Sequence, residues 1–166
     1  MITTLPYTLD VIPPAFLKRV RESGLDDQQQ SVVRSRARGG EPLRDLLRRA
    51  LPDEEIILAS YCPFVRPGPF REFGPIFVSA GGGEPETEWI FSRRSEPALD
   101  YFQKQLTLRA YGFDGAIADA AIVDFDAAPN VLDKFLAREG VEFVDARFPS
   151  YGCFAARFMS SNVHHG

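Results

Sequence analysis

Histidine is almost absent from this chain of 166 residues: the two it has, His164 and His165, lie in the last three positions. A nucleophile needs a base beside it in the body of the domain, so Ser–His and Cys–His arrangements are disfavoured. Only two cysteines are present, Cys62 and Cys153. They give no Cys/His cluster with zinc-ligand spacing, and any bound metal would have to be a hard ion on oxygen ligands. In apolar, strand-like surroundings both cysteines read as small buried hydrophobes rather than a disulfide. Gly81-Gly82-Gly83-Glu84-Pro85 lacks the Gly-Lys-Ser/Thr that would make it a phosphate loop, and no dinucleotide fingerprint is present. No cofactor is implied.

No apolar run approaches the roughly 20 residues of a membrane helix. Pro6 breaks the start of the chain before any signal-like apolar stretch, which predicts a cytoplasmic protein not bound to membranes. Lysine is scarce, with 3 residues against 16 arginines, and the net charge is −4, so the molecule as a whole does not attract nucleic acid. The charge is unevenly placed. Residues 18–49 hold nine basic side chains against five acidic, whereas residues 112–145 hold eight acidic against Lys134 and Arg138. Two solvated faces explain this, as does a surface for a partner.

The chain does carry abundant aromatic and apolar material, including 14 Phe. At this length it buries a core without metal or disulfide, as one domain covering 1–166. Residues 1–13 read as extended. Pro14 opens a helix through Phe16, Leu17 and Val20 that Gly24 closes. Residues 31–37 form a short strand, and Pro42 starts a short helix through Leu46, Leu47 and Ala50. Residues 55–61 make a continuous apolar strand covered on both faces. A Pro- and Gly-rich loop leads to a strand from Gly74, and a short element is expected near Trp89.

Strict alternation over 104–111 puts Leu106, Leu108 and Ala110 on one face and Thr107, Arg109 and Tyr111 on the other. Asp114-Gly115 turns the chain into a strand over 116–124. A helix over 129–139 and strands over 141–147 and 151–159 follow. The sum is an α+β fold, one twisted and mainly antiparallel sheet with two or three packed helices.

Several polar residues sit where sites form. Arg109 lies in a half-buried strand, where a guanidinium requires an anionic partner, either a ligand group or Asp119 across the predicted hairpin. Asp119 interrupts an apolar run, which suits a paired carboxylate or a tuned acid–base group. Arg71 and Glu72 lie between a rigid loop and a strand, where contacts are preorganised or a simple surface ion pair forms. Tyr61, Tyr111 and Tyr151 flank strands and offer hydroxyls beside packed rings. Arg44 with Asp45, and Asp145 with Arg147, are further charged positions.

The segments Glu41-Pro42-Leu43-Arg44, Leu58-Ala59-Ser60-Tyr61, Gly68-Pro69-Phe70-Arg71-Glu72, Gly74-Pro75-Ile76-Phe77-Val78, Leu106-Thr107-Leu108-Arg109-Ala110-Tyr111 and Tyr151-Gly152-Cys153-Phe154-Ala155 recur in order and spacing. Over about residues 40–158 the chain resembles a bacterial domain-of-unknown-function family, number 1203. The resemblance carries no activity. Many members place a cysteine where Leu43 stands and a histidine where Asp145 stands, so any chemistry of those two groups is missing. Two functions fit these residues. One is a site for a small anionic ligand, held by Arg109 and Arg71, oriented by Tyr61 or Tyr111, with Asp119 or Glu72 as acid or base. The other is a non-catalytic protein–protein module. A homo-oligomer is not indicated.

Overall fold

The computed structural model describes residues 7–87 and 90–161. In chain order the elements are β1 (Tyr7–Asp10), α1 (Pro14–Lys18), β2 (Val33–Arg36), β3 (Pro42–Leu43), β4 (Arg48–Arg49), β5 (Glu55–Tyr61), β6 (Gly74–Ser79), β7 (Gln105–Gly112), β8 (Ile117–Asp124), α2 (Ala128–Leu136), β9 (Val141–Arg147) and β10 (Phe154–Ser160). One wider turn, Arg19–Ser23, extends α1 and ends at Gly24, whose φ of 65° gives the left-handed exit that glycine adopts freely. The short element expected near Trp89 and the histidine pair lie outside the described residues.

The mainly antiparallel α+β character holds, but the single sheet does not: the strands form two five-stranded sheets. The first has the order β1-β10-β9-β7-β8 and is antiparallel throughout. The second has the order β2-β5-β6-β3-β4, with β3 parallel to β6. Alternation along a strand shows which side chains face a core, but not which strands share a sheet. Residues 33–79 pair among themselves, which closes the second sheet on its own.

In the first sheet, Leu106, Leu108, Ala110, Val144, Ala146 and Phe158 make one buried face, and α2 lays Ala128, Leu132, Phe135 and Leu136 on it. In the second, Ile57, Ala59, Ile76 and Val78 pack against Ile12, Phe16 and Val20. Phe154, at the start of β10, joins this second cluster and so ties the sheets together. The opposite side of β5 is also covered, since Ile56 packs with Leu43, Leu46 and Ala50.

The predicted helix over 42–50 is replaced by the short strands β3 and β4 around a tight turn. Leu46 belongs to the cluster under β5, whereas its neighbour Leu47 belongs to the main core beneath α2. One helical stripe cannot serve two cores in different directions. The chain reverses at Leu47, held at φ 53° in the left-handed region that a branched side chain seldom adopts.

The end of this turn is clasped by a carboxylate. Arg48 meets Glu54 in two parallel hydrogen bonds of 2.9 and 2.6 Å, and Leu51 N donates to Glu54 at 3.0 Å. The Arg48 hydrogen bonds hold the Glu54 carboxyl below its ordinary 4.5. A lowered folded pKa stabilises above the unfolded value and is lost as pH falls through the folded one. Urea midpoints should therefore drop as pH falls below the ordinary 4.5, and Glu54→Gln should flatten that part of the profile. An unchanged slope in the variant would show that the clasp contributes nothing.

Candidate functional site

The face of the first sheet turned away from α2 carries charge. Directly opposed residues on neighbouring antiparallel strands share a face. Arg109 of β7 faces Asp145 of β9, which faces Arg157 of β10, while Ala120 of β8 completes that row. One step along on the same face, Ile122, Thr107 and Arg147 form a second row. Over β9 and β10 the face is covered by the loop 62–73, the Pro- and Gly-rich segment between β5 and β6.

Asp145 is fully buried and Arg157 nearly so. Arg157 donates from Nε and Nη2 to the two Asp145 oxygens at 2.7 and 3.0 Å, and from Nη1 to the Pro63 carbonyl at 2.6 Å. Its guanidinium lies 3.6 Å from the centre of the Phe143 ring. Each of the three nitrogens of this cation thus donates a hydrogen bond and one face of its plane is stacked, as a buried guanidinium requires.

Arg147 is served less well. Its side chain is 5% exposed. Nη1 donates to the Gly152 carbonyl at 2.9 Å, but Nε and Nη2, both closed to solvent, have no hydrogen-bond partner among the described residues. Glu72 of the covering loop brings Oε1 against Nη2 as an ion pair without an aligned hydrogen bond. The same oxygen lies 3.5 Å from Arg109 Nη1, at the outer limit of a hydrogen bond. One carboxylate, 44% exposed, therefore bridges two guanidinium groups. With Asp145 and Arg157 cancelling, the cluster of Arg109, Arg147 and Glu72 keeps one excess positive charge; Asp10, opposite Arg157, and Asp124, at the far end of β8, are the other carboxylates of this face.

The structure brings Arg109, Glu72 and Asp145 together on this face. Tyr111 lies on it one row further, stacked on Phe143 at 5.1 Å beneath Phe64. Tyr61 belongs to β5, buried between Phe16 and Phe154; burial raises its pKa, with Arg157 and Asp145 both within electrostatic range. Tyr151 is on the surface.

Other expected residues lie elsewhere. Asp119 is opposite Ala110, hence on the α2 side of the sheet, and pairs with Arg138 at 2.9 Å. A hairpin pair between Arg109 and Asp119 is ruled out by the pleat, and Glu72 takes that place. Arg71 is exposed, directed at Cys62 Sγ (3.4 Å) and the Phe73 ring, apart from Glu72's partners. Arg44 is buried where the sheets meet, donating to the carbonyls of Phe154 (2.9 Å) and Pro42 (2.8 Å) and lying 5.1 Å from the Phe148 ring. Asp45 binds Arg21 and Ser79 N; burial raises its pKa against those contacts. Both cysteines are free and half-exposed, so neither is the buried hydrophobe expected.

Arg157 was not singled out by the sequence reading. The signal was there: a lone arginine inside the apolar strand Phe154–Met159, to which the reasoning used for Arg109 applies unchanged.

Among the described residues, no group of three or more His, Cys, Asp or Glu could hold a metal ion. No helix among them is long and apolar enough to cross a membrane. Two shallow concavities, of about 360 and 270 Å³, lie away from the charged face, against Arg93, Arg94 and Leu99 and against Arg34, Arg36 and Glu55. In the first, both arginines already contact carboxylates, Glu86, Asp100 and Asp126; in the second, Arg36 contacts Glu55 and Arg34 donates to the Arg21 carbonyl. They therefore offer less to a ligand than the incompletely bonded Arg147. No curated protein and no solved structure matches the chain. A family model described as protein of unknown function (DUF1203) matches residues 40–159, a span that contains Glu72, Arg109, Asp145, Arg147 and Arg157, and the chain belongs to that family.

Proposed function

We propose that Arg109 and Arg147 bind the carboxylate or phosphate of a small organic anion, in the place where the Glu72 carboxylate now lies. The observation that carries this reading is Arg147: a nearly buried guanidinium with two nitrogens that make no hydrogen bond among the described residues, beside a second guanidinium that is 32% exposed. Desolvated cations of this kind gain most from a planar, bidentate acceptor. Glu72 offers Arg147 a charge but no aligned bond and Arg109 only a long one, and it is held by a surface loop rather than by the sheet.

The neighbouring Asp145–Arg157 pair fixes the geometry. It locks β9 to β10 and anchors the covering loop through Pro63, so the two binding arginines project from a rigid floor. The reading is one of binding; no side chain is assigned a catalytic step.

The test is a thermal-shift and calorimetric screen of acetate, other small carboxylates and inorganic phosphate, with the wild-type chain and Arg109→Ala in parallel. An anion present at about 100 times its dissociation constant should stabilise the fold by about 2.7 kcal/mol. The effect should vanish in Arg109→Ala, which folds because its side chain is partly exposed and at the edge of the cluster. Binding of equal strength in both proteins, or in neither, refutes the site.

A further inference from the structure

Beside the two arginines the sheet face is open. Ala120 is the cross-strand partner of Arg109, and Ile122 is the partner of Thr107, whose other neighbour is Arg147. All of these point to the side away from α2. Ala120 is exposed and Ile122 is 67% exposed, although Ile122 is a large aliphatic residue in a regular strand. With strands spaced about 4.8 Å apart, Ile122 stands roughly 10 Å across the sheet from Arg147. The open strip between them is floored by Thr107 and flanked by Arg109 and Ala120.

Charge limits what can lie on that strip. Two residues beyond Ile122 on the same face is Asp124, which accepts from Gln105 Nε2 at 2.9 Å. An anionic group at that end would meet a carboxylate, whereas one at the Arg109–Arg147 end would meet two guanidinium groups. The surface is therefore polar and positive at one end, apolar in the middle and negative at the other.

Resting on the anion site proposed above, we infer that its ligand class is a monocarboxylate with an apolar body: the carboxylate displaces Glu72 on Arg109 and Arg147, and the body lies on Ala120 and Ile122. A compact dianion such as phosphate would use the charges and leave the apolar strip bare. A dicarboxylate long enough to cover the strip would bring its second charge to Asp124.

The probes are acetate, phenylacetate, benzyl alcohol and inorganic phosphate, titrated calorimetrically into the wild-type chain, Ile122→Ser and Arg109→Ala. Ile122→Ser removes exposed apolar surface without adding charge and leaves the strand hydrogen bonds in place. Phenylacetate should bind about tenfold more tightly than acetate, for a ring partly buried on Ile122 and Ala120. Ile122→Ser should erase most of that advantage and leave acetate unchanged, and Arg109→Ala should abolish both. Benzyl alcohol, with the ring but no charge, should not bind measurably. If acetate and phenylacetate bind equally, if phosphate binds more tightly than phenylacetate, or if Ile122→Ser changes nothing, the apolar-body class is overturned while the anion site stands. If no anion binds the wild-type chain, both fall together.

Discussion

Arg157→Ala is expected to be the most damaging single substitution on the charged face, lowering the free energy of unfolding by about 3–5 kcal/mol. The reason is what it leaves behind. Asp145 has no exposure, and its two strong hydrogen bonds come from Arg157. Burial raises the Asp145 pKa, and the Arg157 hydrogen bonds oppose that rise. For Arg157, burial is the largest influence and lowers the pKa, yet the Asp145 bonds together with the charges of Asp145, Tyr61 and Asp10 turn the net direction upward. The two directions differ on whether the pair holds its charges. The bidentate geometry, and a guanidinium that does not lose its proton near neutrality, favour the charged pair.

Without Arg157 only the nearby charge of Arg147 opposes burial, and Asp145 must either stay charged without a hydrogen-bonded partner or bind a proton. A carboxyl whose folded pKa is raised contributes stability below its unfolded pKa, and that contribution is lost as pH rises through the folded value. The deficit of Arg157→Ala should therefore be larger at neutral pH than near pH 4, where a protonated Asp145 is tolerated. Urea denaturation at the two pH values measures this. A second arm isolates the interaction: Asp145→Leu with Arg157→Met together should be far less destabilising than Arg157→Ala, since replacing a buried pair by apolar residues is often neutral. A double variant as unstable as the single one would show that the Pro63 contact and the stacking on Phe143, not the ion pair, carry the effect.

The two halves of the chain were not equally legible. Alternation over 104–111, the Asp114-Gly115 turn and the apolar stripe of α2 are local signals, and the structure follows them closely. The turn has Gly115 at φ 78° and Asp114 Oδ1 accepting from Ala116 N at 3.0 Å. The face on which Arg109 lies was legible for the same reason. Its partner was not, because pairing depends on residues far apart in sequence: Glu72 is 37 residues from Arg109 and arrives by a loop. The pleat that placed Arg109 also excludes Asp119, but only once the bulge between Ala110 and Tyr111 sets the register. Division into two sheets was illegible for a similar reason, since which strands pair is decided by residues far apart in sequence. Over 42–50 the spacing of leucines imitated a helix, although the side chains serve separate cores.

Glu72→Gln should bind acetate and phenylacetate about tenfold more tightly than the wild-type chain, while unfolding about 1–2 kcal/mol more easily. Both effects follow from one side chain acting as an internal competitor. When a binding site is open for only a fraction of the time, the apparent dissociation constant is the intrinsic one divided by that fraction. The Glu72 carboxylate occupies the anion position between Arg109 and Arg147, so it sets the fraction. Its contact with Arg109 is long, at 3.5 Å, and its side chain is 44% exposed, but it lies close against Arg147; a gain of about an order of magnitude matches a half-exposed ion pair of this kind. The stability loss has a separate origin. Arg147 is buried whether or not Glu72 is charged, and a neutral amide leaves that guanidinium without its countercharge. Opposite signs for affinity and stability distinguish competition from general damage, which would weaken both. Calorimetry with the two carboxylates and urea unfolding of the same preparations give the two numbers. Tighter binding should also persist at raised salt less well than in the wild-type chain, because the uncovered pair presents two charges instead of one. If affinity falls with stability, Glu72 is a member of the ligand-binding set rather than its occupant, and the ligand sits over the carboxylate rather than in its place.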